Sequence, residues 1–188
     1  METLDNPNQS VDESTVPFLP TALRIGVIGG LVSITFTLVL NLTGMSIPTS
    51  IMSGILMGAI GIAITIFIGY YAIKQHRDED LGGYISLGRA FLVGFIAIFL
   101  ASLLNNLFSI LYMTTIDPGY VDQVIGATEE MMSKMGAPES TIEQQLEQMR
   151  NNFTPAGMLK NGLLWGGVIT AIIALIQAAI MKKQSPSA

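Results

Sequence analysis

The chain has 188 residues, of which 50% are hydrophobic and 12% are charged, and its formal net charge is −5. Soluble domains typically carry about twice that fraction of charged residues, so the composition indicates a membrane protein. The negative charge excludes a basic surface for nucleic acid, and the lack of cysteine excludes disulfides and thiol catalysis.

The first 20 residues are predicted to form a disordered, acidic cytoplasmic tail. They contain four acidic residues and three prolines, and the first basic residue of the chain is Arg24. A secretory signal would instead begin with positive charge directly before its apolar core. Residues 21–183 are predicted to be one membrane domain, and residues 184–188 a short cytoplasmic tail.

Four stretches of 20 or more residues contain no charged side chain and predict transmembrane helices. About 20 helical residues cross the hydrocarbon core of a bilayer, and backbone groups in lipid must be paired within the helix. The predicted fold is an all-α integral membrane bundle of four transmembrane helices. We place the spans at about residues 23–44, 51–73, 90–113 and 159–181.

Small and polar residues recur at steps of three and four along each span, which places them on one helix face. Such residues let helix backbones approach closely in a membrane. We expect packing within the bundle, with homodimerisation through a Gly-xxx-Gly pair as the alternative. The candidate helix-packing residues are Gly26, Gly30, Gly54, Gly58, Asn105, Gly162 and Gly166.

The third span is the most polar and suggests a second function. Asn105 and Asn106 could line a hydrophilic path together with Asn41 and Gln177. Hydrogen bonding between helices is the simpler interpretation. The central part of each span contains no ionisable residue of the kind that marks proton relays, which argues against an active transporter.

The distribution of basic residues predicts the orientation of the chain in the bilayer. Six of them flank the side that carries both termini and the 74–89 loop, whereas three lie among acidic residues on the other side. Because Lys and Arg are enriched in cytoplasmic flanks, both termini and this loop are predicted to be cytoplasmic. The 114–157 loop is then extracytoplasmic.

The loop between the second and third spans is predicted to form a tight elbow. Gly82-Gly83 permits positive φ, which allows an abrupt reversal between antiparallel helices. Arg77 and Asp80 lie three residues apart at a helix end, where they could pair or contact headgroups. Docking of a partner is the alternative role. The candidate cytoplasmic elbow comprises Arg77, Asp80, Gly82, Gly83 and Tyr84.

Residues 114–157 are predicted to form an extracytoplasmic helical hairpin between the third and fourth spans. Its amphipathic helices are expected at about residues 118–135 and 140–152, the second beginning with a capping box of Ser140 and Glu143. A four-helix bundle needs only a short connector here, and long insertions are often functional. The candidate outward interaction surface comprises Met131, Met132, Met135 and Met149.

Two clusters of potential metal ligands fail to match a defined ligand spacing. Thioethers suit Cu(I), and Met131 and Met135 lie one helical turn apart, but His and Cys are absent from this loop. We interpret His76 and the acidic residues after it as a solvated helix end. We therefore predict no cofactor, metal or catalytic residue, and expect a protein that is not an enzyme.

The segment KQHRDEDLGGYISLGRAF, residues 74–91, resembles the signature of a bacterial membrane family, domain of unknown function 4199. The resemblance continues at residues 116–118 and 175–183 and covers roughly residues 22–183. The family occurs mainly in Bacteroidota, which implies an inner-membrane location, and it brings no established activity. The resemblance implies a shared pattern that includes Arg77, Asp80, Gly82, Gly83, Tyr84 and Asp117.

These observations favour a non-enzymatic accessory or scaffold protein of the inner membrane, with the hairpin as its interaction surface. Its expected partners are the lipid bilayer and either another protein or a second copy of the chain, without nucleic acid. The alternative is a small passive channel or carrier that uses the polar face of the third span. A continuous polar path would favour the carrier, and a dry core with an apolar patch on the hairpin would favour the scaffold.

Overall fold

The computed structural model describes residues 12–184, which fold into six helices. A turn of π-helix extends the second helix over His76–Asp80, and another extends the third over Tyr112–Ile116. The helices are α1 (Leu19–Leu42), α2 (Ile51–Gln75), α3 (Leu87–Leu111), α4 (Tyr120–Lys134), α5 (Glu139–Asn152) and α6 (Pro155–Met181). Helices α1, α2, α3 and α6 are long and apolar enough to cross a membrane, so the predicted fold class is confirmed.

The helix starts are set by local capping. Thr154 accepts a 3.0 Å hydrogen bond from the Gly157 amide at the start of α6, and Ser86 accepts one of 3.3 Å from the Arg89 amide in α3. The predicted capping box at the start of α5 is wrong. Pro138 occupies the N-cap position there, so Ser140 and Glu143 lie inside the helix.

Helix α3 lies at the centre of the bundle, where it contacts α1, α2 and α6. A Cβ atom added at Gly26 of α1 would lie 3.0 Å from the carbonyl oxygen of Ala97 in α3. One added at Gly30 would lie 2.7 Å from a methyl carbon of Leu104. The close approach of α1 to α3 therefore depends on the missing side chains of these two glycines.

One half of the bundle has a closely packed apolar core. We call its outer limit the terminal end, because both described chain ends lie there, and the opposite limit the hairpin end. Alanines dominate this core and allow the helices to approach closely. The apolar cluster comprises Ala22, Ile25, Ile68, Ala72, Val93, Ala97, Ile98, Ala101 and Ala174.

Helix α2 leaves the bundle over its first half. Its buried residues all lie in its last third: Ile68, Gly69, Ala72 and Ile73. Within the described residues, a Cβ atom added at Gly54, Gly58 or Gly61 would meet no neighbour within 4 Å. The prediction that Gly54 and Gly58 pack against another helix of the bundle is therefore wrong. They share a helix face, but no other helix of the described chain covers it.

The two predicted packing glycines of α6 differ in their surroundings. A Cβ atom added at Gly162 would lie 2.8 Å from the side-chain nitrogen of Asn106, so this glycine lies in the α3–α6 contact. One added at Gly166 would meet nothing within 4 Å of the part of the chain that the structure describes. Gly166 is therefore not a packing residue, because it borders a cavity instead of a helix.

The N-terminal segment, the α2–α3 loop and the end of α6 meet at the terminal end. The backbones of Ile85 and Lys183 exchange hydrogen bonds of 2.9 and 3.0 Å as an isolated antiparallel bridge. Glu13 accepts hydrogen bonds from the amide and hydroxyl of Ser86. The predicted disordered tail is therefore wrong for residues 12–18. The rest of that prediction, residues 1–11, and the predicted tail at 185–188 lie outside the described residues.

Candidate functional site

The elbow between α2 and α3 reverses the chain with two glycines. Gly82 and Gly83 adopt φ values of +66° and +95°, in the left-handed region that side chains other than glycine avoid. The Gly83 amide donates a 2.8 Å hydrogen bond to the carbonyl of Arg77, which ends the helix. The reversal therefore occurs where the glycine pair predicts it.

Asp80 joins this elbow to the first turn of α1. Its Oδ2 accepts a 2.7 Å hydrogen bond from the hydroxyl of Thr21 and lies 2.7 Å from Nδ1 of His76. Arg77 instead pairs with Asp78, at 2.7 Å between Nε and Oδ1. Of the two roles considered for Arg77 and Asp80, the mutual pair does not form, because the π-turn directs Asp80 back toward His76 and toward α1.

The interpretation of His76 as part of a solvated helix end is also wrong. Its side chain is completely buried, and its Nε2 atom has no hydrogen-bond partner among the described residues. The signal is present in the sequence, since His76 continues the buried face of Gly69, Ala72 and Ile73 at helical spacing. The charged residues that follow His76 suggest exposure to solvent instead, so this helical spacing is easily overlooked.

Cation–π contacts complete the terminal end. The Lys183 ammonium lies 5.1 Å from the ring centre of Tyr84, and the Arg89 guanidinium lies 4.9 Å from that of Phe18. The first contact connects the elbow with the end of α6, and the second connects the first turn of α3 with the segment before α1. Together with Asp80, they make the elbow a junction of three chain segments.

At the hairpin end, α4 and α5 pack against each other and enclose a small core of their own. Val124, Ile125 and Thr128 of α4 and Ile142 of α5 are buried. The side chains of α4 and α5 that face away from this contact are largely exposed. The buried core of the hairpin is therefore formed by residues other than the four candidate methionines.

A groove of about 650 Å³, which we call the hairpin groove, lies between α4 and the α1–α2 loop. Residues 48–52 form one wall, and α4 forms the other with Met131, Met135, Glu130 and Lys134. The Glu130 carboxylate lies 2.6 Å from the Lys134 ammonium, and this hydrogen-bonded ion pair lowers the pKa of Glu130. The groove thus combines an apolar wall with a charged rim.

The structure brings together only part of the predicted methionine surface. Met131 and Met135 line the hairpin groove, where Met135 is 61% exposed. Met132 of α4 and Met149 of α5 are half-buried outside the groove lining. The groove gains instead Met52 at the start of α2, which is 71% exposed and does not belong to the predicted surface.

A second space, the polar cavity, lies at membrane depth in the half of the bundle toward the hairpin end. It has a volume of about 330 Å³ and is bordered by α1, α2, α3 and α6. Within it, the Thr37 hydroxyl donates a 3.0 Å hydrogen bond to Asn105. Its polar lining comprises Ser33, Thr37, Thr65, Ser102, Asn105, Asn106 and Ser109.

The hydrophilic path of four amides, the alternative to hydrogen bonding between helices, is not assembled. Asn105 and Asn106 border the polar cavity, but Asn41 and Gln177 do not belong to its lining. Gln177 lies toward the terminal end, where its side-chain nitrogen donates a 2.6 Å hydrogen bond to the carbonyl of Ile66. The apolar cluster lies between the polar cavity and the terminal end, so the four amides do not form one continuous polar path.

The family described as protein of unknown function, DUF4199, matches residues 24–183, which is nearly the whole chain. The chain belongs to this family. The match confirms the resemblance carried by the elbow segment, and both the elbow and the hairpin lie inside the matched range. Neither a curated protein nor a solved structure matches the chain. With its four apolar helices, this member of the family is a multi-pass membrane protein.

Proposed function

We propose that the chain is a non-enzymatic accessory or scaffold protein of the bacterial inner membrane, and that its hairpin groove binds an apolar segment of a partner protein. The observation that carries this proposal is the composition of the groove. Met131 and Met135 on one wall face Met52 and its neighbours on the other, across a space of about 650 Å³. An apolar side chain or a helix edge fits such a space.

Methionine is suited to this role by its flexibility. Its unbranched thioether chain adapts to irregular apolar partners, and exposed apolar surface with a polar rim is typical of interaction sites. The rim is supplied here by the Glu130–Lys134 ion pair. Because the hairpin core consists of other residues, exposure of Met135 serves no evident purpose in folding the hairpin itself.

The proposed orientation places the terminal end in the cytoplasm and the hairpin groove outside. The excess of basic residues beside the terminal end supports it, because such residues are enriched on the cytoplasmic side. The convergence of residues 12–18, the elbow and Lys183 at one end agrees with an even number of spans. The groove would then face partners in the extracytoplasmic space or in the outer leaflet.

Site-specific photocrosslinking in native membranes tests the proposal. A photoreactive amino acid at position 135 should yield one or a few discrete protein adducts, because it replaces an exposed side chain in the groove. The matched control places the same amino acid at Glu147, which is exposed on α5 and does not line the groove. A second substitution, Met52→Ser, should reduce the adducts formed from position 135.

The outcomes distinguish a groove that binds a specific protein from a surface that binds none. Adducts that depend on both position 135 and Met52 support docking between the two walls. Equal adducts from positions 135 and 147, or adducts with lipid alone, would show that the groove selects no protein. Circular dichroism melts of each variant in detergent establish that the fold is retained.

A small passive channel or carrier is the second candidate function, and the polar cavity is the observation in its favour. The cavity reaches from the hairpin half toward the middle of the bundle, where the apolar cluster begins. A passive pore requires polar lining through both halves, so we rank this function second. Proteoliposomes should therefore show glycerol permeability equal to that of empty liposomes, and faster swelling would reverse the ranking.

A further inference from the structure

We infer that the polar cavity binds the hydroxyl group of an uncharged amphiphile, whose hydrocarbon chain lies in the lipid-facing groove between α1 and α2. The inference goes beyond docking at the hairpin groove and concerns a different site. It stands on the hydrogen-bonding inventory of the cavity wall, on the absence of charge in its lining, and on its lateral opening.

The first observation is an unpaired acceptor. Asn106 donates a 3.3 Å hydrogen bond from its side-chain nitrogen to the carbonyl of Met158. This bond fixes the orientation of the amide, because a carbonyl can only accept. The Asn106 Oδ1 atom is buried and has no partner within the described chain. The oxygen itself exposes no surface, whereas the Asn106 side chain is partly exposed at the cavity wall, so a ligand hydroxyl can donate to it once this side chain shifts. Such a bond would relieve the cost of a buried amide oxygen without a partner.

The hydroxyl groups of the wall present acceptors as well. Ser33, Thr65 and Ser109 each donate to the carbonyl four residues earlier in their own helix, at 2.9 Å. Their protons are therefore engaged, while the lone pairs of their oxygens remain free to accept. These three oxygens are matched by a ligand that supplies a hydrogen-bond donor, as a hydroxyl group does.

The lining also restricts the charge of the ligand. Every residue that borders the polar cavity is uncharged. An ionised headgroup placed at this depth without a counter-ion would lose its hydration with little compensation. Phosphate and ammonium headgroups are therefore disfavoured, and an alcohol is favoured.

The cavity opens laterally because α2 leaves the bundle. Ile64 borders both the polar cavity and an apolar groove of about 360 Å³ between α1 and α2. Val32 and Ile60 line that groove, and Val32 is 52% exposed on the surface that faces lipid. A chain lying in this groove would place its polar end beside Ile64, at the mouth of the cavity.

The test uses the purified full chain in nanodiscs and a diacylglycerol with a photoreactive diazirine in its acyl chain. Labelled peptides are mapped by mass spectrometry and are expected in α1 and α2. Excess hexadecanol should reduce this labelling about fivefold, whereas its methyl ether should not, because the ether has no proton to donate. A labelled phosphatidate serves as the charged comparison and is expected to label these helices no more than background.

Two variants connect the labelling to the cavity. Gly166→Leu should abolish competition by hexadecanol, since a Cβ atom added at Gly166 meets no described atom within 4 Å and this residue borders the cavity, which leaves a leucine side chain room to fill it. Asn106→Leu removes the unpaired acceptor and should weaken competition about fivefold. The matched control is Asn41→Leu, which makes the same change outside the cavity lining and should leave competition unchanged.

Equal competition by hexadecanol and its ether would overturn the inference, and so would competition that survives Gly166→Leu. Either result would mean that the groove holds only hydrocarbon chains and that water satisfies Asn106. All three variants lie in the membrane spans, so they leave the hairpin groove intact. Failure here and failure of the docking proposal are therefore observed separately.

Discussion

The hydroxyl of Thr21 donates a 2.7 Å hydrogen bond to the carboxylate of Asp80, which joins the first turn of α1 to the end of α2. The same carboxylate oxygen lies 2.7 Å from the buried imidazole of His76. Hydrogen bonds to a carboxylate are stronger than those between neutral groups. The Asp80 side chain thus connects two helices at the terminal end, and it lies within the range that matches the family.

Thr21→Val should destabilise the bundle. The substitution keeps the shape of the side chain but leaves the Asp80 carboxylate with one partner fewer, at an expected cost of about 2 kcal/mol in the free energy of unfolding. Circular dichroism melts in detergent measure the effect. The control is Thr35→Val on the same helix, where an exposed hydroxyl donates only to the carbonyl of Leu31. Similar losses in both variants would show that the Thr21–Asp80 bond contributes little.

Gly26→Leu should be far more damaging than Gly58→Leu. At Gly26 even a Cβ atom would lie 3.0 Å from the Ala97 carbonyl, whereas at Gly58 it would meet nothing within 4 Å of the described chain. Overpacking typically costs about 1–3 kcal/mol, so the melting temperature should fall only for Gly26→Leu. If Gly58→Leu is equally harmful, its face is covered in the membrane by another molecule.

Ile125→Ala should loosen the hairpin without affecting the spans. Ile125 is almost completely buried between α4 and α5, and truncation of a buried isoleucine typically costs about 2–5 kcal/mol. Hydrogen–deuterium exchange should accelerate in α4 and α5 and stay unchanged in α1 and α3. Met135→Ala, which truncates an exposed side chain, should leave exchange as in the native protein. Faster exchange throughout would show that the hairpin supports the whole bundle.

Alkaline phosphatase fusions should report the proposed orientation. The enzyme is active only outside the cytoplasm, so a fusion after residue 145, in the hairpin, should be active. Fusions after residues 80 and 188 should be inactive, because basic residues flank that side. The reverse pattern would invert the topology and place the hairpin groove in the cytoplasm.

The four spans could be predicted from the sequence because the bilayer excludes charge so strongly. Uninterrupted apolar stretches of the required length are rare outside transmembrane helices. The elbow could be predicted for a similar reason, since Gly82 and Gly83 adopt backbone angles that other residues avoid. In both cases one local property of the chain decides the structure.

Which helix packs against which is not decided by local properties of the chain, so the sequence alone is insufficient to predict these contacts. Periodicity shows that Gly54 and Gly58 share a face, but a small-residue face looks the same whether a helix or lipid covers it. Likewise, the charges after His76 suggest solvent, while its helical position suggests the core. Only the packing of the folded chain, which buries His76 completely, resolves that conflict. The hairpin groove requires the approach of α4 to a loop distant in sequence.

The bridge between Ile85 and Lys183 gives the chain an order of assembly. Lys183 follows α6, so it is synthesised after the elbow and the three earlier spans. Until then, the amide and carbonyl of Ile85 lack the partners that they have in the finished fold. The two hydrogen bonds of the bridge can therefore form only after α6 has been synthesised. A chain truncated within α6 would lack Lys183 and would leave the amide and carbonyl of Ile85 without these partners.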